Sequence, residues 1–210
     1  MTRPTSGQAA ALPSYAEVLA RLAAAEQAEG WLARSVEAGR YLALNVPFVD
    51  ALADTLRRLD ASPVLEICAG DGSLTAALRR RGIAVTATDA QPPFRTEIPV
   101  EPLTADEAIR RDRPRVVLGS FVPVDGRVDR QVLDSPEVRH YVVLNTRLGG
   151  EYGAACLWTH PGWTRTPLAD VTRWMICRHD VWLGADTPPL THGEAWLLSR
   201  GKGDRPLFRN

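Results

Sequence analysis

Lysine is almost missing from this chain: of 25 basic residues only Lys202 is one, and the rest are arginines. With abundant alanine, proline and glycine, this reads as the bias of a GC-rich coding source and not as a functional signal. Cysteine is scarce. Cys68, Cys156 and Cys177 are too few and too scattered for a disulfide framework, and they fit a reducing cytoplasm. An excess of either charge is absent, with 25 basic against 25 acidic residues. No nucleic-acid or anionic-membrane partner is therefore expected, since such partners select for a basic face. Long apolar runs are absent too: no stretch free of charged residues exceeds 13 residues, so no membrane-spanning helix is expected. The first residues carry one arginine and no continuous apolar segment, so no signal peptide is expected. There is no internal repeat and no low-complexity run.

What is there suits one globular domain. The 210 residues are 45% hydrophobic and 24% charged, enough to bury a core without staples. Residues 1–13 read as a loose tail. Ser14 and Glu17 form a capping box ahead of Val18, Leu19, Leu22 and Ala25 at helical spacing, and Gly30 is the expected stop. A second helical stretch carries Trp31, Leu32 and Val36. A third starts at Pro47 and runs through Leu59. After Pro63 strands and helices alternate. Strands are expected at 64–67, 83–88, 100–103, 115–119 and 141–144, with helices at 74–81 and 105–111. Two extended stretches, 174–183 and 194–199, read as an antiparallel pair. The pattern predicts an α/β fold: a doubly wound, mostly parallel seven-stranded sheet with an antiparallel C-terminal hairpin strand. A tail and helical lid (1–60) would precede a Rossmann-like domain (61–210).

The informative segment is Glu66-Ile67-Cys68-Ala69-Gly70-Asp71-Gly72-Ser73-Leu74-Thr75. A strand ends, glycines turn the chain, and a helix begins, the geometry that brings a nucleotide against backbone at the carboxyl edge of a sheet. Asp89 follows Gly70 by 19 residues, placed to accept the hydroxyls of a ribose. A dinucleotide fingerprint needs a third glycine where Thr75 stands, which disfavours an NAD-dependent reductase. Glu66 and Asp71 beside the turn disfavour a pyrophosphate and favour a ligand with a cationic end.

On these residues the segment resembles motif I of class I S-adenosylmethionine (SAM) dependent methyltransferases, small-molecule type. Glu66, Gly70 and Gly72 match, and Cys68 stands where the first glycine is usual. The resemblance covers roughly residues 39–200. It implies SAM as cofactor, held by Tyr41, Glu66, Cys68, Ala69, Gly70, Gly72, Asp89, Ala90, Thr104, Ala105, Ser120 and Phe121. It also implies an acceptor pocket above the fourth and fifth strands, under the N-terminal helices. Its lining would come from Tyr15, Trp31, Asn145, Arg147, Tyr152 and Trp158, with Tyr41 and Phe121 beside them.

Methyl transfer is an in-line displacement that depends on placement and exclusion of water. A base is needed only for a protonated acceptor. His160 is the first candidate, because its ordinary pKa suits the task, and Glu151 the second. Both lie in a stretch, 151–166, expected to be irregular. The tryptophans at 158, 163, 174 and 182 read as core. Cys68 reads as a small buried residue, not a nucleophile. Cys177 with His179, and Cys156 with His160, offer two ligands each where a structural zinc wants four, so no metal is expected. The expected function is transfer of a methyl group to a small-molecule acceptor, with secondary metabolism as a setting. Two alternatives stand beside it. One is internal displacement on the aminobutyrate chain of SAM, releasing methylthioadenosine. The other is a non-catalytic SAM-binding partner subunit. A homodimer is left open.

Overall fold

The computed structural model describes residues 11–24, 30, 33–37, 39–59, 63–148, 151–178, 180 and 193–201. Among them, helix α1 (Tyr15–Ala23) opens with the expected capping box: Glu17 donates its N–H to the Ser14 hydroxyl, and its carboxylate accepts from the Ser14 N–H. Residues 33–37 are also helical. Helix α2 (Val46–Arg58) has Pro47 in its first turn and Asn45 as N-cap, accepting from Phe48 N at 3.0 Å. Its buried face is Phe48, Val49, Leu52, Ala53 and Leu56, one stripe at helical spacing.

The alternating part begins with β1 (Val64–Ile67), α3 (Ser73–Arg79), β2 (Val85–Ala87), α4 (Ala105–Asp112) and β3 (Val116–Ser120). It continues with α5 (Arg127–Asp134), β4 (His140–Leu148), the two-residue β5 (Glu151–Tyr152) and α6 (Cys156–Thr159). Strand β6 (Trp163–Pro167), α7 (Ala169–Thr172) and β7 (Gly193–Arg200) complete it. Six strands form one mixed sheet in the order β2-β1-β3-β4-β7-β6, and β5 pairs β4 off that path. The first four strands in that order are parallel; β7 and β6 are antiparallel to their neighbours.

Successive residues of a strand face opposite sides, and the two sides bury separate cores. Val64, Val116, Leu118, Val142 and Leu144 pack with α2, α3 and α7. Leu65, Ile67, Val117, Tyr141 and Val143 pack with α4, α5 and α6. Helices cover both faces, the doubly wound arrangement. The sheet order reverses between β1 and β3, which opens a crevice at their carboxyl ends.

Three expectations are corrected. The strand at 100–103 is reduced to one parallel bridge, Thr88 with Glu101. Pro102 has no N–H to extend a ladder, and Leu103 N turns back to Glu101 O at 2.8 Å. The last strand pairs with β4 on one side and β6 on the other, and the described residues 174–178 of the expected partner do not pair with it. Met175 and Ile176 are buried in two different clusters and do not alternate against β7, and Cys177 bridges Leu42. Residues 179 and 181–192 lie outside the described set. The stretch 151–166, expected to be irregular, instead forms β5, α6 and most of β6.

Candidate active site

The crevice is floored by the turn after β1. Cys68, Gly70 and Gly72 all take left-handed backbone angles, with φ of 53°, 54° and 75°. For Gly70 and Gly72 a side chain is excluded by space as well. A Cβ on Gly72 would sit 2.7 Å from Ile98 and 2.9 Å from Val100, and one on Gly70 would sit 3.0 Å from the Gly39 carbonyl oxygen. Asp89, just past β2, ties the turn to the second strand. One of its carboxylate oxygens accepts from Gly70 N at 3.0 Å and the other from Gln91 N at 2.9 Å. The group is half-buried, and each oxygen keeps a second lone pair.

Carboxylates crowd this turn. Glu66 is 1% exposed and accepts a hydrogen bond from the Thr75 hydroxyl. Burial pushes its pKa up to about 7, against the pull of that hydrogen bond. The third-glycine position of a dinucleotide fingerprint is thus occupied by the partner of a buried acid. Asp129 on α5 is fully buried; Tyr141 donates its hydroxyl to one oxygen at 2.8 Å, while the other oxygen has no hydrogen-bond partner. Burial raises its pKa to about 6. Cys68 reports on the combined field. Burial first, then the charges of Asp89, Asp129 and Glu66, push its thiol up to about 12.

Residues 39–44 cross in front of the turn. Arg40 is ion-paired with Asp71. The Tyr41 ring stacks on Phe121 at 4.9 Å, with the Arg178 guanidinium 3.4 Å from the Tyr41 ring centre. Phe121 is held after β3 with φ of 53° and donates its N–H to Leu144 O at 2.7 Å. Between this segment and the turn a cavity of about 30 Å³ remains, lined by Glu66, Cys68, Ala69, Leu74 and Ser120 among others. A larger cavity of about 580 Å³ adjoins it, sharing Arg40, Leu42, Leu44 and Ser73 and reaching α1.

The donors fit SAM. Asp89 keeps acceptor lone pairs beside the turn, and the field of the carboxylates favours a cation. The cavity of about 30 Å³ between residues 39–44 and the turn is smaller than SAM.

Of the expected cofactor residues, Tyr41, Glu66, Cys68, Ala69, Gly70, Gly72, Asp89, Ser120 and Phe121 come together here. Ala90 is exposed beside Asp89, and Ala105 is buried at the start of α4. The Thr104 hydroxyl is engaged in a capping box with Glu107, so it serves the helix. Asn145 is buried at the carboxyl end of β4. Tyr15 packs edge-on against Trp174 at 5.2 Å, and Trp158 against Trp196 at 4.9 Å. Trp196 pairs with Val143 on β7, so β3 and β4 separate Trp158 from the turn. Trp31 lies outside the described residues, as do the side chains of Arg147, Glu151 and Tyr152.

His160 is not at this site. Its neighbour Trp163 pairs with Arg200, next to the His140–Ser199 pair that starts β4, so it lies at the amino edge of the sheet. Its two ring nitrogens contact Asp134 and the Pro161 carbonyl, both at 2.9 Å. It ties α6 to the end of α5. Sequence reasoning missed Arg40, Asp129, Tyr141 and Arg178. Arg40 and Arg178 sit among 23 other basic residues, and Asp129 lies in a charge-rich helix that reads as surface; no pattern marks them.

No protein-family model matches the chain, and no curated protein matches it. Solved structures do. A 1,6-didemethyltoxoflavin-N1-methyltransferase from Burkholderia thailandensis, with its substrate and S-adenosylhomocysteine bound, is 16% identical with a TM-score of 0.51, over 95% of this chain and 99% of that one. The methyltransferase domain of bacterial CtHen1 is 10% identical with a TM-score of 0.47, over 72% and 96%. Cofactor-bound Rv0187 from MTB is 17% identical with a TM-score of 0.45, over 91% and 98%. At these identities the likeness establishes architecture, and only the first exceeds a TM-score of 0.5. The fold is that of class I SAM-dependent methyltransferases.

Proposed function

We propose that this chain is a SAM-dependent methyltransferase acting on a small-molecule acceptor. The observation that carries the reading is the convergence of Glu66, Asp89 and Asp129 on the Cys68–Gly72 turn, in a fold whose first strand-to-helix turn is a nucleotide site. A ring of carboxylates is unsuited to a pyrophosphate and suited to a sulfonium and an ammonium. SAM supplies, when bound, a methyl group on a cationic sulfur.

The chain's own residues would do the rest. Asp89 accepts the ribose hydroxyls on its free lone pairs. Gly70 and Gly72 hold the left-handed turn that presents its backbone to the ligand. Ala90 and Ala105 flank the adenine. Asp129 and Glu66, whose ionisation burial opposes and a bound cation favours, face the sulfonium. Residues 39–44, with α1 behind them, act as the lid: they open to admit the cofactor, and Tyr41 with Phe121 then excludes water from the reacting atoms. Asn145 and the loop after β3 border the acceptor.

Asp89→Ala tests the site. It removes hydrogen bonds to a charged acceptor, each worth about 1.5–3 kcal/mol, so SAM affinity should fall at least tenfold in calorimetry while the fold is kept. Unchanged affinity would sink the ribose assignment. Mass spectrometry of the cofactor product then tests the reaction. S-adenosylhomocysteine, formed with an acceptor, is expected; methylthioadenosine formed from SAM alone would overturn methyl transfer.

A further inference from the structure

The larger cavity adjoins the small one, sharing Arg40, Leu42, Leu44 and Ser73 with it, and extends from there toward α1. Its walls come from α1, the segment before it and the outer side of α3. The floor is apolar, with Leu12, Val18, Leu22, Leu42 and Leu44. Its charged groups are Arg21, Arg34, Arg40 and Arg80 against a single acid, Glu97. That acid is already engaged, 3.2 Å from Arg80 and 3.9 Å from Arg40. Among the described residues neither Arg21 nor Arg34 takes part in an ion pair.

We propose that this cavity binds an anionic small molecule with an apolar body, its carboxylate or phosphate held by Arg21, Arg34 and Arg40. The volume, about 580 Å³, suits a metabolite-sized ligand. Exposed guanidinium groups at the rim of an apolar cavity can turn to an incoming anion, and their planar forks match the oxygens of carboxylate and phosphate. A neutral ligand would fill the floor and leave the arginines unused.

Arg40 gives the site a consequence. It lines both cavities, and its present partner is Asp71 in the glycine turn. An anion in the larger cavity competes with Asp71 for that guanidinium. Residues 39–44 lose a tie to the turn, and the cavity in front of it can widen. The anion and the cofactor then favour each other's binding, by the same factor in both directions. The anion site does not depend on the methyltransferase reading; the coupling does.

The test titrates benzoate, phenyl phosphate and neutral benzyl alcohol into the full chain, by calorimetry and NMR, without SAM. At least one anion should bind ten times more tightly than benzyl alcohol, and the stronger of the two identifies carboxylate or phosphate. The variant carrying Arg21→Gln and Arg34→Gln changes exposed side chains, and circular dichroism checks its fold. It should lose tenfold or more in anion affinity and little for the alcohol. Anions binding no better than benzyl alcohol, or binding unchanged in the variant, would overturn the site. SAM is then titrated with and without the bound anion. A gain of threefold or more that disappears in Arg40→Gln is expected, and no gain overturns the coupling. If SAM does not bind at all while the anion does, the methyltransferase reading and the coupling fail together and the anion site stands.

Discussion

Cys68 holds a left-handed backbone angle, φ 53°, that an L side chain adopts at a cost of about 1–3 kcal/mol. Glycine would remove that strain but lose a partly buried thiol. Cys68→Gly should therefore fold with stability within about 1 kcal/mol of the parent, whereas branched Cys68→Val should cost distinctly more in urea unfolding. Its thiol, pushed up to about 12, should resist iodoacetamide at pH 8; fast alkylation of Cys68 on a mass map would contradict the burial and the carboxylate field.

Glu66 belongs to the same scale. Its folded pKa, about 7, lies above the ordinary carboxylate value. Between the unfolded and folded values the native state binds more protons than the unfolded chain. The contribution of Glu66 to stability is therefore full below about pH 4 and falls as pH rises toward 7, the reverse of the usual carboxylate contribution. Glu66→Gln keeps a neutral acceptor for the Thr75 hydroxyl. It should be more stable than the parent by about 2–3 kcal/mol at pH 8 and indistinguishable at pH 4.5. Equal pH profiles would mean that Glu66 is not buried as a neutral acid.

At the scale of elements, the helices that were legible are those with end signals. Ser14 with Glu17, and Pro47 after Asn45, announce α1 and α2 before any packing is known. Asn45 does more than cap. It is buried, and its amide also donates to Trp174 O at 2.9 Å. Asn45→Ala should cost about 2–3 kcal/mol, above an exposed cap, because the half-buried Trp174 carbonyl also loses its donor; a loss under 1 kcal/mol in chemical denaturation would refute that contact. Helix α5 has no such signals. Gly126 caps it in a left-handed conformation without a side-chain bond, and its charged face conceals that Asp129 points inward. Strand β6 was missed because Trp163-Thr-Arg-Thr-Pro has one buried apolar residue, Trp163, so alternation gives no signal.

At the scale of the molecule, residues 39–44 are tied to the body by Arg40 with Asp71, by Tyr41 with Phe121 and Arg178, and by a short backbone pairing with residues 176–178. Of these residues only Leu42 is buried, in the core under one face of the sheet. The segment should open without global unfolding. Amide exchange at Arg40 and Ala43, bonded to Ser35 O and Ile176 O, should run at least about 100-fold faster than at Leu65 and Val117. Equal protection would show that the segment opens only with the whole fold.

The chain by itself determined the βαβ alternation, the left-handed turn at Gly70 and Gly72 and the acid at Asp89. Each depends on a local rule: hydrophobic period, the backbone freedom of glycine, and a fixed spacing between consecutive strand ends. Tertiary structure alone decided the rest. It set His160 at the opposite edge of the sheet, placed β6 beside the last strand, and turned Asp129 toward Cys68. It also laid Arg40 between two cavities. These are contacts between segments far apart in sequence. They are fixed by which faces can be buried together, and no local pattern encodes that.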